Sequence, residues 1–528
     1  MAYSFWGGAW ILWPPITAAG YVYGALFLGR YLRRSRSLTV ADFFGRRFNS
    51  RRVQTAAGVT IVIGLGGYLL AVTQGAALLL SELTELTYTQ GLWTACISYT
   101  LFTLYSGSRG VVLTDTLMFF LFSTVSLLGL FYIVDAKGGW PIALEALITL
   151  EEKPDLMSWH GMVGPGRRWE TPAELLTWSV IIGVAWSLVV AISPWQSSRY
   201  LLAKNEHVVV RSACITAAVV VLIQVALYAA AVTVNLSNLT IDPPDGTMIW
   251  AAKNLLPPLL GALLLAGVMA AALSSATTFL SLVGFSVSRD IVPNRKLDDK
   301  SMLRFSRVMI LVVGAITLLI SLNIPRDIWW LTNFVGPVFA SSWGPVAFMS
   351  VWSSRITANA AFWGIVSGFV GNVVPTFFQE IGWLELPEVL HPIVIGGAVS
   401  LVVIVWVSRL GEVTDKERDF RLQLHELPIE EIDDRKTQHT SWIAMSLAVF
   451  GVAASTLLLI YYVRPYQLIT GVLIEGNEFD WLSGESLSAL GWSVVYIFCG
   501  LLAYRVIQRS YGAAVTDTPT AKKLGDLQ

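Results

Sequence analysis

The residues best suited to chemistry in this chain are small hydroxyls and one carboxylate set inside apolar runs. The clearest stretch is PPLLGALLLAGVMAAALSSATTFLSLVGFSVSRD, residues 257–290. In a helix, Ala271, Ser274 and Ser275 fall at i, i+3 and i+4 and share one face. A sodium ion is a hard cation that wants oxygen ligands in place of its water. Two hydroxyls beside a backbone carbonyl freed at a helix break can supply them near a membrane midplane. The competing reading is packing: small residues let membrane helices approach closely, and Ser often bonds its own i−4 carbonyl. Spacing alone leans towards packing.

Asp115 lies in GVVLTDTLMFF, about one and a half turns into an apolar run. A carboxylate at that depth is costly unless paired or near water, which marks it as a functional candidate. Its blander role is placement near the positive end of a helix. A third set lies in SLVVAISPWQSSRYLLAKNEH. Pro194 frees backbone groups that something else must satisfy, and Gln196, Arg199 and Lys204 follow at the mouth of that break. Trp186 stands eight residues before Pro194 and is a candidate to line a cavity; a lone Trp in a membrane helix is more often lipid-facing or core. His160, His207, His391, His425 and His439 are scattered, and Cys96, Cys214 and Cys499 lack metal-ligand spacing or a disulfide framework. No triad, phosphate loop or zinc cluster is visible, so the chain does not read as an enzyme.

Such residues need a scaffold, and composition says which. Of 528 residues, 55% are hydrophobic and 14% charged, against about 25% charged in soluble domains. The 36 basic residues balance 36 acidic ones, which gives no hint of nucleic acid. The 21 tryptophans and 17 tyrosines suit aromatic belts at two membrane interfaces. A span needs about 20 apolar residues. Thirteen runs qualify, near 5–29, 55–80, 90–106, 110–134, 174–195, 208–234, 256–285, 303–323, 328–351, 357–379, 391–408, 441–463 and 486–507. They are continuous, not alternating, so the fold class is all-α: a polytopic membrane protein of about thirteen transmembrane helices. The first residues carry no signal-peptide pattern.

Basic residues set the orientation. Arg30, Arg33, Arg34, Arg36, Arg46, Arg47, Arg51 and Arg52 crowd the loop after the first run; Arg199, Lys204 and Arg211 mark another, and Arg289, Arg295, Lys296, Lys300, Arg304 and Arg307 a third. These loops read as cytoplasmic, which with thirteen spans puts the N-terminus outside and the C-terminus inside. Residues 135–171 read as an outer loop whose Trp140, Trp159 and Trp169 are candidates for the membrane interface, and 409–440 as a charged cytoplasmic linker. The tail from Gln508 is short and polar and reads as disordered. Asn235-Leu-Ser and Asn238-Leu-Thr match glycosylation sequons, a pattern that chance produces often.

Four stretches, in order, resemble the sodium:solute symporter family, the group that includes sodium–proline, sodium–pantothenate and sodium–glucose carriers. SLTVADFFGRRFNS is similar to its cytoplasmic Thr-x-x-Asp-Phe loop, and VVLTDTLMF to its Thr-Asp-x-x-Gln helix start, with Met118 in place of Gln. WQSSRYLLAKN resembles its Gln-Arg-Tyr-Leu-Ala segment, and LLGALLLAGVMAAALSSATTFLSLVGFSVSRD its eighth core helix. The resemblance, over about residues 1–410, implies the leucine-transporter architecture of two inverted five-helix repeats with broken first and sixth core helices. It implies sodium-coupled symport of a small organic solute across the inner membrane, sodium being co-transported. Ala271, Ser274 and Ser275 would be half of the sodium site, Asp115 would mark the sodium exit path, and Trp186 and Trp13 would line the solute site. Pro194, Gln196 and Arg199 would stand at the cytoplasmic mouth of the broken helix.

The implied organisation is 1–134 for core helices 2–5, 135–173 for the outer loop and 174–351 for core helices 6–10. Residues 352–408 add helices, 409–440 link, 441–507 hold two last spans and 508–528 form the tail. AYSFWGGAW is similar to the stretch after the first core helix, so the first repeat reads as truncated, with a start upstream of Met1 as the expectation. The competing classes are a membrane sensor and a transport-inactive relative. Sodium-dependent uptake separates a carrier from both.

Overall fold

The computed structural model describes residues 1–292, 298–325, 328–473 and 478–512, all helix and connecting turns with no strand among them. In chain order the helices are α1 (Ala9–Gly24), α2 (Arg30–Ser35), α3 (Val40–Arg47), α4 (Arg51–Leu83), α5 (Tyr88–Asp135) and α6 (Trp140–Ile148). Then come α7 (Pro172–Ile192), α8 (Pro194–Leu202), α9 (Glu206–Thr233), α10 (Thr247–Asn254), α11 (Pro258–Phe285), α12 (Asp299–Asn323) and α13 (Ile328–Trp352). Last are α14 (Ala358–Glu380), α15 (Pro392–Arg409), α16 (Asp415–His425), α17 (Asp434–Leu458), α18 (Arg464–Ile469) and α19 (Gly484–Ile507). Starts follow local chemistry. Thr171, Asn205 and Thr357 each accept a backbone N–H three residues on, and Thr87 with Gln90 forms a capping box.

Among the described residues twelve helical segments are long and apolar enough to cross a membrane, not thirteen. The run expected at 90–106 is the first limb of α5 and falls outside those twelve, while 114–135 qualifies. Yet α5 cannot be one straight rod. Tyr88 and Ile133 pack in one apolar cluster, although a straight helix would hold them about 70 Å apart at its usual rise. Gly91 abuts the Ala77 carbonyl on α4, and Gly129 lies against Leu256 and Leu264 beside the start of α11. The helical stretch therefore doubles back, and its two limbs run antiparallel.

The polar segments depart further from expectation. Trp169 is buried beside Trp178 at a ring separation of 4.8 Å, so it is core and not interface. Trp140 donates to the Tyr461 carbonyl and Trp159 packs on Gly484, which ties the 136–171 loop to the last two spans. Asn235 is buried; its Oδ1 accepts from Lys153 at 2.7 Å and its Nδ2 donates to the Val232 carbonyl at 2.9 Å, which leaves that sequon asparagine no free amide face. The 409–440 linker is a docked structure. Buried Arg47 donates to the carbonyls of Ser350 and Glu417, and the Glu417 carboxylate accepts the Ala358 N–H that opens α14. The expected disorder from Gln508 fails for residues 508–512: Gln508 donates to Ser441, and buried Tyr511 lies 4.6 Å from the His207 ring. The remaining tail, and Arg295 and Lys296 of the third basic loop, lie outside the described residues.

Candidate functional site

The centre is the interruption between α7 and α8. Ser193 adopts φ −54° and ψ 148°, and Pro194 opens α8 as its first residue. Proline has no N–H to give the Val190 carbonyl and pushes the residue before it out of the helical region, so the break follows directly from the sequence. Ser193 is fully buried at this break, its hydroxyl without a hydrogen-bond partner among the described residues. Helix α1 closes tightly on α7: a Cβ on Gly20 would sit 2.1 Å from the Ser187 carbonyl oxygen, a contact only glycine permits.

Below the break, three elements meet at Asp115. Its Oδ2 accepts from the Arg199 guanidinium on α8 at 2.6 Å, and its Oδ1 accepts from the Ser274 hydroxyl on α11 at 2.6 Å. Arg199 also reaches the Thr278 hydroxyl, at a weak 3.5 Å. The carboxylate is thus paired, which removes most of the penalty of placing it in an apolar helix. Ser274 Oγ spends its proton on Asp115 and keeps lone pairs for a cation. Ala271 and Ser275 stand half-buried on the same face of α11. Gln196 is half-buried on α8, outside this hydrogen-bonded chain.

Above the break, Trp13 of α1 and Trp186 of α7 line one cavity of about 190 Å³ with Tyr21, Val190, Gln224 and Tyr228. The sequence placed them 173 positions apart; close packing of α1 on α7 unites them. Two polar atoms there have no partner among the described residues, the Trp13 indole Nε1 and the Gln224 Oε1. One donates and the other accepts, so a polar guest can satisfy both. No charged side chain lines this cavity. Between it and α11 stands an aromatic layer. Tyr68 lies 6.5 Å from Trp186 and 4.8 Å from Phe279, and Trp195 lies 5.7 Å from Phe279. This chain of rings links Trp186 on the cavity wall to Phe279 on α11, the helix that also carries Ser274.

Gln224 had no sequence signal, since an isolated amide in an apolar run reads as packing. Two buried carboxylates were also missed as structural centres. Asp290 accepts from Thr39, Gln54 and Ser286, pinning the end of α11 to α3 and α4. Glu206 is fully buried against Arg34, with Arg30 3.9 Å away. The signal for Glu206 was available in the arginine cluster, whose partner only the fold names. Outside the spans, burial is the main cause that pushes the His391 imidazole down to about 4, with Arg168 adding to it. Burial also raises the Glu388 carboxyl, against the Trp169 indole that hydrogen-bonds it.

The chain is similar to known proteins. A sodium/proline symporter of Salmonella typhimurium is 22% identical over 79% of this chain and 81% of the relative. A sodium/pantothenate symporter of Escherichia coli is 25% identical over 78% of this chain and 83% of its own. The solved substrate-bound, outward-open state of a Na+-coupled sialic acid symporter shares the fold at a TM-score of 0.59 and 16% identity, covering 78% of this chain and 90% of that one. The family model for the sodium:solute symporters matches residues 2–368. These residues include both limbs of the Asp115 cluster and both tryptophans of the cavity, and on that match the chain belongs to the sodium:solute symporter family.

Proposed function

We propose that the protein is a symporter that moves a small organic solute across the cytoplasmic membrane with sodium, by alternating access. The observation that carries this reading is the pairing of Asp115 with Arg199 and Ser274 at the foot of a broken helix, in the same bundle as a cavity that holds an unpartnered indole N–H and an unpartnered amide oxygen. A break of this kind leaves carbonyls without helical partners, and transporters use such carbonyls to replace a cation's water. In this reading Ser274, Ser275 and the backbone at Ala271 are sodium ligands, and Asp115 guides the ion inward. The solute rests between Trp13 and Trp186, oriented by the Trp13 N–H and the Gln224 carbonyl oxygen. In this reading the basic loops face the cytoplasm and the first limb of α5 crosses the membrane beside the twelve longer spans, so the N-terminus is outside and the C-terminus inside.

The relatives carry proline and pantothenate, so these head the panel of candidate solutes here. The test is uptake of labelled compounds into liposomes holding the purified protein, driven by an imposed inward sodium gradient. Accumulation that stops when potassium replaces sodium supports the reading. If a broad panel of amino acids, sugars, carboxylates and osmolytes yields no gradient-driven uptake, the carrier reading falls.

A further inference from the structure

A second, larger cavity of about 510 Å³ opens at the end of the bundle that carries the 136–171 loop. It lies between α7, α13, α14 and the turn before α15, and shares no lining residue with the Trp13–Trp186 cavity. Its chemistry is different too. Arg168, Asn372, Glu380, Glu388 and His391 line it beside the rings of Trp178 and Trp330. Volumes of this order suit whole small molecules.

The donors in this cavity are under-used. Asn372 is only 1% exposed, yet its side-chain Nδ2 has no hydrogen-bond partner among the described residues. A buried amide left so is costly unless a guest pairs with it. The exposed Arg168 guanidinium lies over Trp169 and Trp178 at 4.8 and 5.7 Å and acts on the Glu388 carboxylate through space without a salt bridge within 4 Å among the described residues. Stacking occupies a face of the guanidinium and leaves its N–H edge for a carboxylate. His391 Nδ1 accepts the Ile393 N–H at 3.4 Å, so its neutral ring carries the proton on Nε2 as a third donor. The acceptors are carboxylates: Glu388 takes the Trp169 indole proton at 3.0 Å and Glu380 that of Trp330 at 2.5 Å. Each keeps lone pairs after accepting one N–H. A cavity with one exposed guanidinium that forms no salt bridge, a buried unpaired amide donor and carboxylates beside aromatic faces matches a guest that carries both charges.

We propose that this cavity is a binding site for a small zwitterion of the amino-acid type, its carboxylate on Arg168 and Asn372 and its ammonium towards Glu388. A simple anion would meet the two glutamates, and a simple cation would leave Asn372 and Arg168 unpaired. The zwitterion satisfies both halves. The site is separate from the Trp13–Trp186 cavity and does not require that its guest be transported.

Binding is therefore tested without a gradient. The full chain, purified in detergent without sodium, is screened for a rise in melting temperature with each of the twenty common amino acids. The strongest is then compared with its own amide, which lacks the carboxylate, and with its des-amino acid, which lacks the ammonium. The expected result is binding at least tenfold weaker for both truncated probes. The same loss is expected for Arg168→Gln and for Glu388→Gln, whose side chains are not in the core, with binding retained in Trp13→Phe. Three results overturn the proposal: no amino acid binds, the truncated probes bind as well as the parent, or Trp13→Phe abolishes binding while Arg168→Gln does not. The last would assign the guest to the transport cavity. Uptake by the Arg168→Gln protein, measured beside it, reports on the transport reading independently.

Discussion

Arg199 and Asp115, 84 positions apart, are joined by a 2.6 Å charge-assisted hydrogen bond that ties the helix after the break to the second limb of α5. Because Ser274 holds the other carboxylate oxygen, the bond also fixes the face of α11 that carries the serine pair. A shift of α8 relative to α11 must break or carry this contact, which makes it a coupling point between the broken helix and the serine face.

Asp115→Asn and Arg199→Gln should each slow sodium-driven uptake by about tenfold or more, because a hydrogen bond to a charged group contributes roughly 1.5–3 kcal/mol. The double variant should lose less than the sum of the two, since each single change strands the other charge. Additive losses in proteoliposome uptake would show that the two residues act separately.

Ser274→Ala and Ser275→Ala should raise the sodium concentration giving half-maximal uptake, with little change in the apparent affinity for solute at saturating sodium. Unchanged sodium dependence in both would make the hydroxyls packing elements, the role that small residues usually have in membrane helices.

Gln224→Leu removes one amide oxygen from the cavity while nearly keeping volume, and Trp13→Phe removes one indole N–H together with part of the ring. Each should raise the solute KM by about tenfold, the worth of a single hydrogen bond at roughly 1.4 kcal/mol, and leave the sodium dependence alone. A solute KM unchanged in both variants would remove this cavity from the transport site.

The His391 imidazole, lowered from 6.5 to about 4, ties stability to acid. Its folded-state pKa lies below the unfolded value, so between about pH 6.5 and 4 the unfolded chain binds the extra proton and stability falls as pH falls. The loss from pH 7 to pH 5 should be about 2 kcal/mol from this group. The raised Glu388 carboxyl acts oppositely, adding stability as it stays protonated above the usual range. His391→Gln should flatten the acid side of a melting-temperature profile from pH 7 to 5. An unchanged profile would mean that the imidazole titrates normally.

Reporter fusions at Arg36 and Arg418 should report the cytoplasm and one at Met157 the outside, as the basic loops require. A cytoplasmic signal at Met157 would overturn the orientation and with it the outward placement of the second cavity.

How far the site was legible depends on the range of each signal. Pro194 foretold the break because its missing N–H and ring act on adjacent residues. The serine pair on α11 was visible by helical spacing. Asp115 could be recognised as needing a partner, but not that the partner was Arg199. Trp186 was a candidate from its place before Pro194, Trp13 was suggested only by resemblance to a family, and Gln224 by nothing at all.

The sequence by itself determined the all-helical membrane class and the positions of nearly all the spans, because in lipid every helix must satisfy its own backbone and advertise itself as a long apolar run. Family membership was legible for a similar reason, in short contiguous motifs. Tertiary structure alone decided that α5 doubles back, that Trp169 is core and not interface, and that the 409–440 linker docks through Arg47 and Glu417. It also decided which polar groups meet. Hydropathy has no preference among apolar neighbours, so only the packing of α1 on α7 and of α5 on α11 brings Trp13 to Trp186 and Ser274 to Asp115.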